Sequence, residues 1–391
     1  MTSRSAARRR QLTTVAGGLF ARDGYPNVTV RDIAAAAGVS GPAIYRHFAG
    51  KDAILAELMR AGFDEIDTIG AVALGGLESA TAGERLDAVV RAMAAFVVRN
   101  PEFGVLWRRE FRHLAAADAV ELTRRMSAGL VATIGELRRV RPELGAAEAR
   151  LVVGAALSVL GSISDHRVRL GRRALEDLLA AVAADVLRAQ LPEPGGSPPT
   201  EPSATPPPAT RREELVAHAV RLFQQSGYHR VTMEDVGAAA GIAGPSVYKH
   251  FAGKTDLLRA VVRRLRDRLQ AALDAPAGPG SADDQLAMRA RSYVETVVAE
   301  RSLVLAFHAE VHNLPRRDRV EIRRLVAAYV QRWTVLVGAA LPGRGEAEAG
   351  IRVQAAFAVV NDSVRSRRLA RQPETVPKLT ALMLAVLTPR S

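Results

Sequence analysis

Apolar residues recur at every third or fourth position along most of the chain, which is the spacing of one face of an α-helix. The first apolar stripe lies between Gln11 and Arg22, and Gly24 is placed to end that helix. Two shorter helical segments follow, 30–37 and 41–48, with only three residues between them. Short helices joined in this way are typical of a helix-turn-helix.

The stretch 45–51 occurs a second time, almost unchanged, at 248–254. Aligned without gaps, residues 24–55 are identical to residues 227–258 at 18 of 32 positions. Farther along, matching residues continue at a spacing of 200. A period of this length is far too long for a solenoid, so it indicates a duplicated domain. Because Ala, Leu and Val dominate the apolar residues and aromatics make up only 5%, the sequence predicts an all-α fold of two tandem units.

The chain divides into five predicted segments. Residues 191–210 contain eight prolines in twenty residues, which is typical of a semi-rigid linker. We expect an N-terminal basic arm and the first helix-turn-helix in 1–55 and a first helical domain in 56–190. The second helix-turn-helix then occupies 211–258 and a second helical domain 259–391.

Helix starts are marked by capping residues. Thr29 with Asp32 three positions later approaches a capping box, and the second copy repeats this pair. Ser40 is a suitable N-cap for the segment 41–48, and Ala243 replaces it in the second copy. We expect that replacement to cost about 1 kcal/mol of helix stability.

The formal net charge of +13 favours a polyanionic partner, although 50 arginines against 4 lysines also indicate a general preference for arginine. The chain has no cysteine, so no disulfide or thiolate metal site is expected. The longest uncharged apolar run, about 151–164, is shorter than a membrane span, and no signal peptide is visible. We therefore expect a cytoplasmic protein without a membrane segment.

The repeated pattern Gly-Tyr-x-x-Val-Thr-x-x-Asp, then Ala-Ala-Gly, Tyr-x-His-Phe and Lys, resembles the TetR family of transcriptional repressors. The resemblance covers about 47 residues at the start of each unit. It implies nine or so helices per unit: three for DNA binding, a middle set around an effector pocket, and a final pair for dimerisation. The tandem layout is similar to that of actinobacterial repressors of lipid-import operons.

A recognition helix places its N-terminal side chains at base edges and its flanks on phosphates. In the first unit we expect DNA contacts from Thr29, Arg31, Ser40, Gly41, Pro42, Ala43, Tyr45, Arg46, His47 and Lys51. Tyr45, His47 and Lys51 would hold phosphates, and the resemblance adds Thr29 to them. Only Arg31 and Arg46 can make a bidentate contact to guanine, which is worth roughly 1–3 kcal/mol of discrimination. The alternative for Tyr45 is a core tyrosine with a solvated hydroxyl.

The second unit keeps the phosphate set and changes the base-reading set. Its expected contacts are Thr232, Gly244, Pro245, Ser246, Tyr248, Lys249, His250 and Lys254. Glu234 stands at the position of Arg31, where a carboxylate would repel phosphates. Residues 1–55 carry eight Arg and Lys against three Asp and Glu, a net of +5, whereas 211–258 carry six against five, a net of +1.

These differences lead to the hypothesis that both units bind double-stranded DNA and read unlike half-sites, the first more tightly. One chain would then act as a covalent pseudo-dimer on an asymmetric operator, and two chains could pair further as a homodimer. The alternative is that only the first unit binds DNA, and that the second is a structural or protein-interaction module. A pure scaffold would leave the repeated Tyr-x-His-Phe-Ala-Gly-Lys unexplained.

The middle helices carry aromatic residues that either line an effector pocket or form plain core. They are Phe96, Phe103, Trp107 and Phe111 in the first unit and Phe307, Tyr329 and Trp333 in the second. A pocket of this kind would take a small apolar, lipid-like ligand. Glu110 with Arg124, and Glu310 with Arg324, are expected to form repeated ion pairs. We expect neither an enzyme nor a cofactor, since no catalytic or metal-binding arrangement repeats.

Overall fold

The computed structural model describes residues 3–75, 79–165, 170–192, 210–276, 280–370 and 372–388. The chain folds as two compact units, Met1–Arg188 and Ala189–Ser391. All regular structure in the described residues is helical, which confirms the predicted all-α class. Most of the predicted linker, 193–209, lies outside the described residues.

The described part of the first unit contains nine α-helices. They are α1 (Ser3–Asp23), α2 (Val30–Ala36), α3 (Gly41–Tyr45), α4 (Lys51–Gly70), α5 (Ala82–Arg99), α6 (Pro101–Val105), α7 (Ala116–Val140), α8 (Ala146–Gly161) and α9 (Arg172–Arg188). Two π-helical segments extend this set, Ala71–Gly75 after α4 and Leu106–Glu110 after α6.

The second unit repeats this order with one short extra helix. Its helices are α10 (Arg211–Ser226), α11 (Met233–Ala239), α12 (Gly244–Val247), α13 (Lys254–Asp274), α14 (Ala282–Ala299), α15 (Arg301–Glu310), α16 (Arg316–Ala340), α17 (Glu346–Ser363), α18 (Arg367–Ala370) and α19 (Thr375–Leu387). Helices α5, α7 and α8 begin 200 residues before α14, α16 and α17. The duplication therefore keeps its register through the middle of each unit.

We call the helix-turn-helix segments 1–55 and 211–258 the first and second heads. The core of the first head is continuous with the core of the helical domain that follows it in the first unit. Fully or almost fully buried apolar side chains from α1, α2, α3 and α4 meet in one cluster, and they include Leu12, Phe20, Ile33, Ile44, Ile54 and Phe63. Phe103 and Trp107 pack against the same cluster from α6 and the π-helical segment. The position of α3 is thereby set by burial on its inner face.

Two expectations about helix boundaries are corrected by the structure. The basic residues 4–10 do not form an arm, since α1 already begins at Ser3. The recognition helix α3 ends at Tyr45 and not at Phe48, because the backbone N–H of His47 and that of Phe48 both donate to the Ile44 carbonyl. Because the Ile44 carbonyl accepts both bonds, the last turn is tightened and the helix ends before Gly50.

One apolar helix, Ala146–Ser164, is long and apolar enough to cross a membrane by length and composition. The uncharged run 151–164 lies within this helix, which reaches the length of a membrane span only by including Glu148 and Arg150. More than half of this helix is buried inside the first unit, where Val152, Val159 and Leu160 are almost inaccessible. The core helix of a folded domain passes the same test, so the observation is weak evidence for a membrane.

Candidate nucleic-acid interfaces

Each recognition helix presents a tyrosine to solvent beside a fully buried residue. Ile44 and Val247 are 0% exposed, whereas the next residues along the chain, Tyr45 and Tyr248, are 59% and 51% exposed. Phe48 and Phe251 are buried again. A tyrosine with half its surface in water is not a core residue, so the alternative interpretation of Tyr45 is excluded by its position.

The residues expected to contact DNA lie together in each head, since α2 packs on α3 and α11 packs on α12. In the first head Thr29, Arg31, Ser40, Pro42, Tyr45 and Arg46 are exposed, and Gly41, Ala43, His47 and Lys51 are partly exposed. In the second head Thr232, Pro245, Tyr248 and Lys249 are exposed, and Gly244, Ser246, His250 and Lys254 are partly exposed. The two surfaces match position by position. Contact with DNA at these residues stays a prediction.

Two of these side chains are already engaged as helix caps. The hydroxyl of Thr29 accepts from the Asp32 backbone N–H at 3.2 Å, and the Asp32 carboxylate accepts from the Thr29 backbone N–H at 2.8 Å. Thr232 and Asp235 form the same capping box. The hydrogen bonds from Thr29 lower the pKa of Asp32 below its usual value. The capping boxes expected from the sequence are therefore present at both α2 and α11.

Ser40 lies at the N-cap position of α3, but its side chain makes no capping hydrogen bond. Ala243 lies at the same position of α12 and makes none either. The expected loss of about 1 kcal/mol on replacing Ser40 by Ala is therefore wrong, because that loss requires a bond that Ser40 does not form. The Ser40 hydroxyl remains exposed at the start of the recognition helix.

The two lysines next to the recognition helices have internal partners. Nζ of Lys51 donates to the backbone carbonyls of Tyr25 and Val28, each at 3.0 Å, and lies 4.3 Å from the centre of the Tyr25 ring. Nζ of Lys254 donates to Tyr228, His229 and Val231 in the same way. Burial lowers the pKa of both lysines. Each ammonium group thus secures the turn that leads into the second helix of its head.

Sequence reasoning missed a pair of arginines that support the recognition helices from behind. Nη1 of Arg9 donates to the His47 carbonyl at 2.7 Å, and its guanidinium lies 4.3 Å from the centre of the Phe48 ring. Arg212 makes the equivalent contacts with the His250 carbonyl and the Phe251 ring. Their recurrence at a spacing of 203, the spacing of the recognition helices, was the signal in the sequence.

The differences in charge between the heads lie at exposed positions. Arg31, Arg46 and Lys249 make no side-chain hydrogen bond or salt bridge to the residues that the structure describes. Glu234 instead lies against the start of α12: a Cβ atom added at Gly244 would be 3.0 Å from its Cγ and 3.5 Å from its Oε1. A Cβ at the equivalent Gly41 would meet no atom within 4 Å. The second head therefore carries a carboxylate at the start of its recognition helix.

The predicted ion pairs of the middle region are not formed. Glu110 is fully buried and lies near Arg109 and His113, whereas Arg124 is exposed. Glu310 is buried too and accepts from Asn313 at 2.7 Å, while Arg324 is exposed. The physical reason is helical geometry. Arg124 follows the buried Leu122 by two positions on α7, which corresponds to a rotation of about 200° around the helix axis. That rotation turns Arg124 away from the core.

Both buried carboxylates act on the heads through the lysines. Glu110 raises the pKa of Lys51, and Glu310 raises that of Lys254, in each case against the larger opposing effect of burial. A further hydrogen bond joins the Arg109 guanidinium to the Ala21 carbonyl on α1. Within the first unit, the Arg109 guanidinium therefore joins the middle helices to α1.

The family model for "Bacterial regulatory proteins, tetR family" matches the chain twice, at residues 12–58 and 215–261. The chain is 35% identical over 134 residues to the HTH-type transcriptional repressor Rv1474c of Mycobacterium tuberculosis, with 32% of this chain and 70% of that protein covered. It is 31% identical over 118 residues to the HTH-type transcriptional repressor KstR2 of Rhodococcus jostii. That match covers 30% of this chain and 56% of the relative, so the chain spans little more than half of that protein's length.

Among solved structures, the chain is similar to the ketosteroid transcriptional regulator KstR2 of Mycobacterium tuberculosis. The TM-score is 0.38 at 21% identity, and the match covers 46% of this chain and 94% of that one. It therefore extends over about one unit of the duplicated chain.

Proposed function

We propose that this chain, which belongs to the tetR family of bacterial regulatory proteins, is a DNA-binding transcriptional repressor whose two heads read unlike half-sites. The observation that carries the proposal is the pair of matching surfaces around Tyr45 and Tyr248. Both have an exposed tyrosine, a cation and a histidine in succession at the C-terminal end of a short helix, and both are held by the same internal contacts. They differ at the positions suited to base edges.

The base-reading residues support different sequence preferences for the two heads. Arg31 and Arg46 suit bidentate contacts to guanine O6 and N7, whereas Lys249 donates from a single ammonium group. Glu234 can accept from cytosine N4 but repels phosphate oxygens. A chain with two such heads acts as a covalent pseudo-dimer on an asymmetric operator, because operator symmetry mirrors the symmetry of the protein.

The experiment is selection of bound duplexes from a random pool, with the wild type and with the Tyr248→Ala/Lys249→Ala variant. We choose Lys249 and leave Lys254 unchanged, because Lys254 supports the fold of the head through three carbonyls. The wild type should select two unlike half-sites, of which the variant loses one. Tyr45→Ala/Arg46→Ala is the matched control and should lose the other half-site. An unchanged consensus in the first variant would contradict the proposal.

A single-headed regulator is the second candidate, and one observation favours it. The carboxylate of Glu234 lies where the second recognition helix begins, and the second head has a net charge of only +1. If the second head does not bind DNA, only the Tyr45→Ala/Arg46→Ala variant will change the selected sequence. Dimerisation between chains would then supply a second copy of the first head for the other half-site of the operator.

DNA binding in this proposal is gated by a small apolar, lipid-like effector bound among the middle helices. A ligand acts only through its differential affinity for two states of the protein. Here the two states differ in the spacing of the heads relative to successive major grooves, about 34–36 Å apart. The hydrogen bond from the Arg109 guanidinium to the Ala21 carbonyl supports such coupling, since it joins the middle helices to α1 of the first head.

A further inference from the structure

The two middle regions differ in side-chain size at five equivalent positions on three helices. In the second unit these positions hold Tyr293, Tyr329, Trp333, Phe357 and Asn361. Two hundred residues earlier, the first unit has Met93, Gly129, Thr133, Leu157 and Gly161. The first-unit residue is smaller at every one of them. In each unit the three helices that carry the five positions pack against one another.

The second unit fills this region with its own aromatic side chains. Tyr293 is 3% exposed and Trp333 is 1% exposed. The rings of Tyr293 and Phe357 stack at 4.6 Å, and the Trp333 ring lies 5.8 Å from Tyr293 and 5.5 Å from Phe357. The Tyr293 hydroxyl donates to Asn361 Oδ1 at 3.2 Å. These rings occupy the space between α14, α16 and α17.

The phenol of Tyr329 completes the cluster. Its ring lies 5.8 Å from that of Phe357, and its hydroxyl donates to the Leu269 carbonyl on α13 at 3.4 Å. Burial raises the pKa of Tyr329 to about 12, so the phenol stays neutral at physiological pH. The cluster is therefore uncharged and satisfies both phenol groups within the unit.

The same region of the first unit is open. Met93, Thr133 and Leu157 are partly exposed, although each has a buried residue one turn away on its helix. Those buried neighbours include Val90, Val97, Leu137, Val153 and Leu160. Partly exposed side chains beside buried ones on three adjoining helices indicate an accessible space in the bundle.

Gly129 lies at an open part of this region. It lies on the inward stripe of α7, since Leu122 is seven residues before it and Leu137 is eight residues after it, and both are buried. Gly129 is nevertheless exposed, and a Cβ atom added there would meet no other atom within 4 Å. Tyr329 occupies the equivalent position in the second unit.

The aromatic residues of the first unit lie nearer the head and do not replace the missing cluster. Phe63 on α4 packs edge-on against Phe103 and Trp107 at 5.7 and 5.1 Å, and these side chains belong to the core shared with the head.

We propose that only the first unit binds the effector, in the space between Met93, Gly129, Thr133 and Leu157, and that Tyr293, Tyr329, Trp333 and Phe357 block the equivalent space in the second unit. The inference rests on the proposed effector-gated function and specifies its site. These four residues offer thioether, methyl and methylene groups, and the Thr133 hydroxyl already donates to the Gly129 carbonyl at 2.9 Å. At the fifth position the Arg108 guanidinium is already engaged, since it donates to the Gly161 carbonyl at 3.1 Å. The ligand class is therefore an uncharged apolar molecule, with one molecule per chain.

The test is a fluorescence titration of the full chain with N-phenyl-1-naphthylamine, a neutral apolar probe, to measure stoichiometry and affinity. The wild type should bind one probe per chain. Gly129→Tyr/Thr133→Trp copies the second unit into the first and should weaken binding at least tenfold. Tyr329→Gly/Trp333→Thr copies the first unit into the second and should add a second site. Two sites in the wild type, or no site, would overturn the inference.

Gly129→Leu is a milder filling variant for the case in which the double variant does not fold, as judged by circular dichroism. It should also weaken probe binding, and undiminished binding in a folded filling variant would place the probe elsewhere and overturn the inference. Operator affinity is measured in parallel with and without probe. If the probe binds once at Gly129 and leaves operator affinity unchanged, the site stands and the gated mechanism fails. If operator affinity responds in a folded filling variant, the mechanism stands and the site assignment fails.

Discussion

The two heads have the same framework and different reading residues. In both heads a lysine ammonium group closes the loop before the second helix, an arginine supports the recognition helix from behind, and a threonine and an aspartate cap the second helix. Arg31 and Arg46 in the first head are replaced by Glu234 and Lys249 in the second. Identity is retained where side chains hold backbone groups. The buried positions that differ exchange one small or aliphatic residue for another, such as Ile33 for Val236 and Ile44 for Val247, whereas the changes in charge lie at exposed positions.

This comparison indicates that the second head keeps the folded framework of the first. It keeps an exposed tyrosine, Tyr248, at the end of its recognition helix, and a purely structural role does not require an aromatic side chain that is 51% exposed. The changes at its surface alter charge and hydrogen-bonding capacity and leave the core intact. We therefore expect variants at paired positions to behave alike in stability and differently in DNA binding.

The largest effect should come from truncating the exposed tyrosine together with its neighbouring cation. We expect Tyr45→Ala/Arg46→Ala to lower operator affinity roughly a hundredfold, since one bidentate arginine contact alone is worth about 1–3 kcal/mol. Tyr248→Ala/Lys249→Ala should lower it roughly tenfold, because a lysine offers a single donating group. Fluorescence anisotropy at fixed salt concentration measures both. Equal losses would remove the proposed difference between the heads.

The next largest effect concerns the buried lysines and should be the same in both heads. Lys51→Met and Lys254→Met should each lower the free energy of unfolding by about 2 kcal/mol, because charged hydrogen bonds to carbonyl groups are lost. Urea unfolding followed by circular dichroism measures this change. Binding at several salt concentrations provides the control, since loss of a phosphate contact reduces the salt slope by about 1. A reduced slope with unchanged stability would assign these lysines to phosphate and not to the framework.

Arg31 and Glu234 should give effects of opposite sign. Arg31→Ala should weaken operator binding roughly tenfold and relax the preference for guanine at one position. Glu234→Ala should strengthen binding roughly threefold, because it removes a carboxylate that faces phosphates, and exposed charge pairs contribute about 0.2–1 kcal/mol. Competition between duplexes that differ at a single base pair reports both changes. Weakened binding by Glu234→Ala would instead indicate that its carboxylate accepts a hydrogen bond from a base.

The smallest effect should come from the helix caps and should be equal in the two heads. Thr29→Ala and Thr232→Ala should each cost about 1 kcal/mol of stability. The pKa values of Asp32 and Asp235 are lowered in the folded protein, so their contribution is present above the unfolded value near 3.8 and is lost as the pH falls through the folded value. Unfolding measured as the pH falls through and below the unfolded value near 3.8 should show less acid sensitivity in each variant than in the wild type.

The duplication, the helix-turn-helix and both capping boxes could be predicted because each rests on residues close together in sequence. The role of Lys51 could not, because an ammonium group donates equally well to a phosphate oxygen and to a carbonyl oxygen. Its partners, Tyr25 and Val28, are more than twenty residues away and approach it only in the folded head. The capping role of Ser40 was expected from its residue type, yet position alone does not form the bond.

The middle region was the hardest part to predict. A spacing of 200 correctly aligned Glu110 with Glu310, but the expected arginine partners lie on the outward face of their helices. The same aromatic residues suit a pocket wall and a filled core equally well in the sequence. Which of these they form depends on the opposing helix, and there Gly129 and Tyr329 differ.

The central claim is that both heads bind DNA and read unlike half-sites. Its most direct test is selection of bound duplexes with a variant whose second head carries the base-reading residues of the first. Glu234→Arg, Ser246→Ala and Lys249→Arg make this conversion at positions whose side chains are at least partly exposed. The account predicts that the wild type selects two unlike half-sites and that the converted chain selects two like half-sites. An identical consensus from both chains would show that the second head does not read DNA.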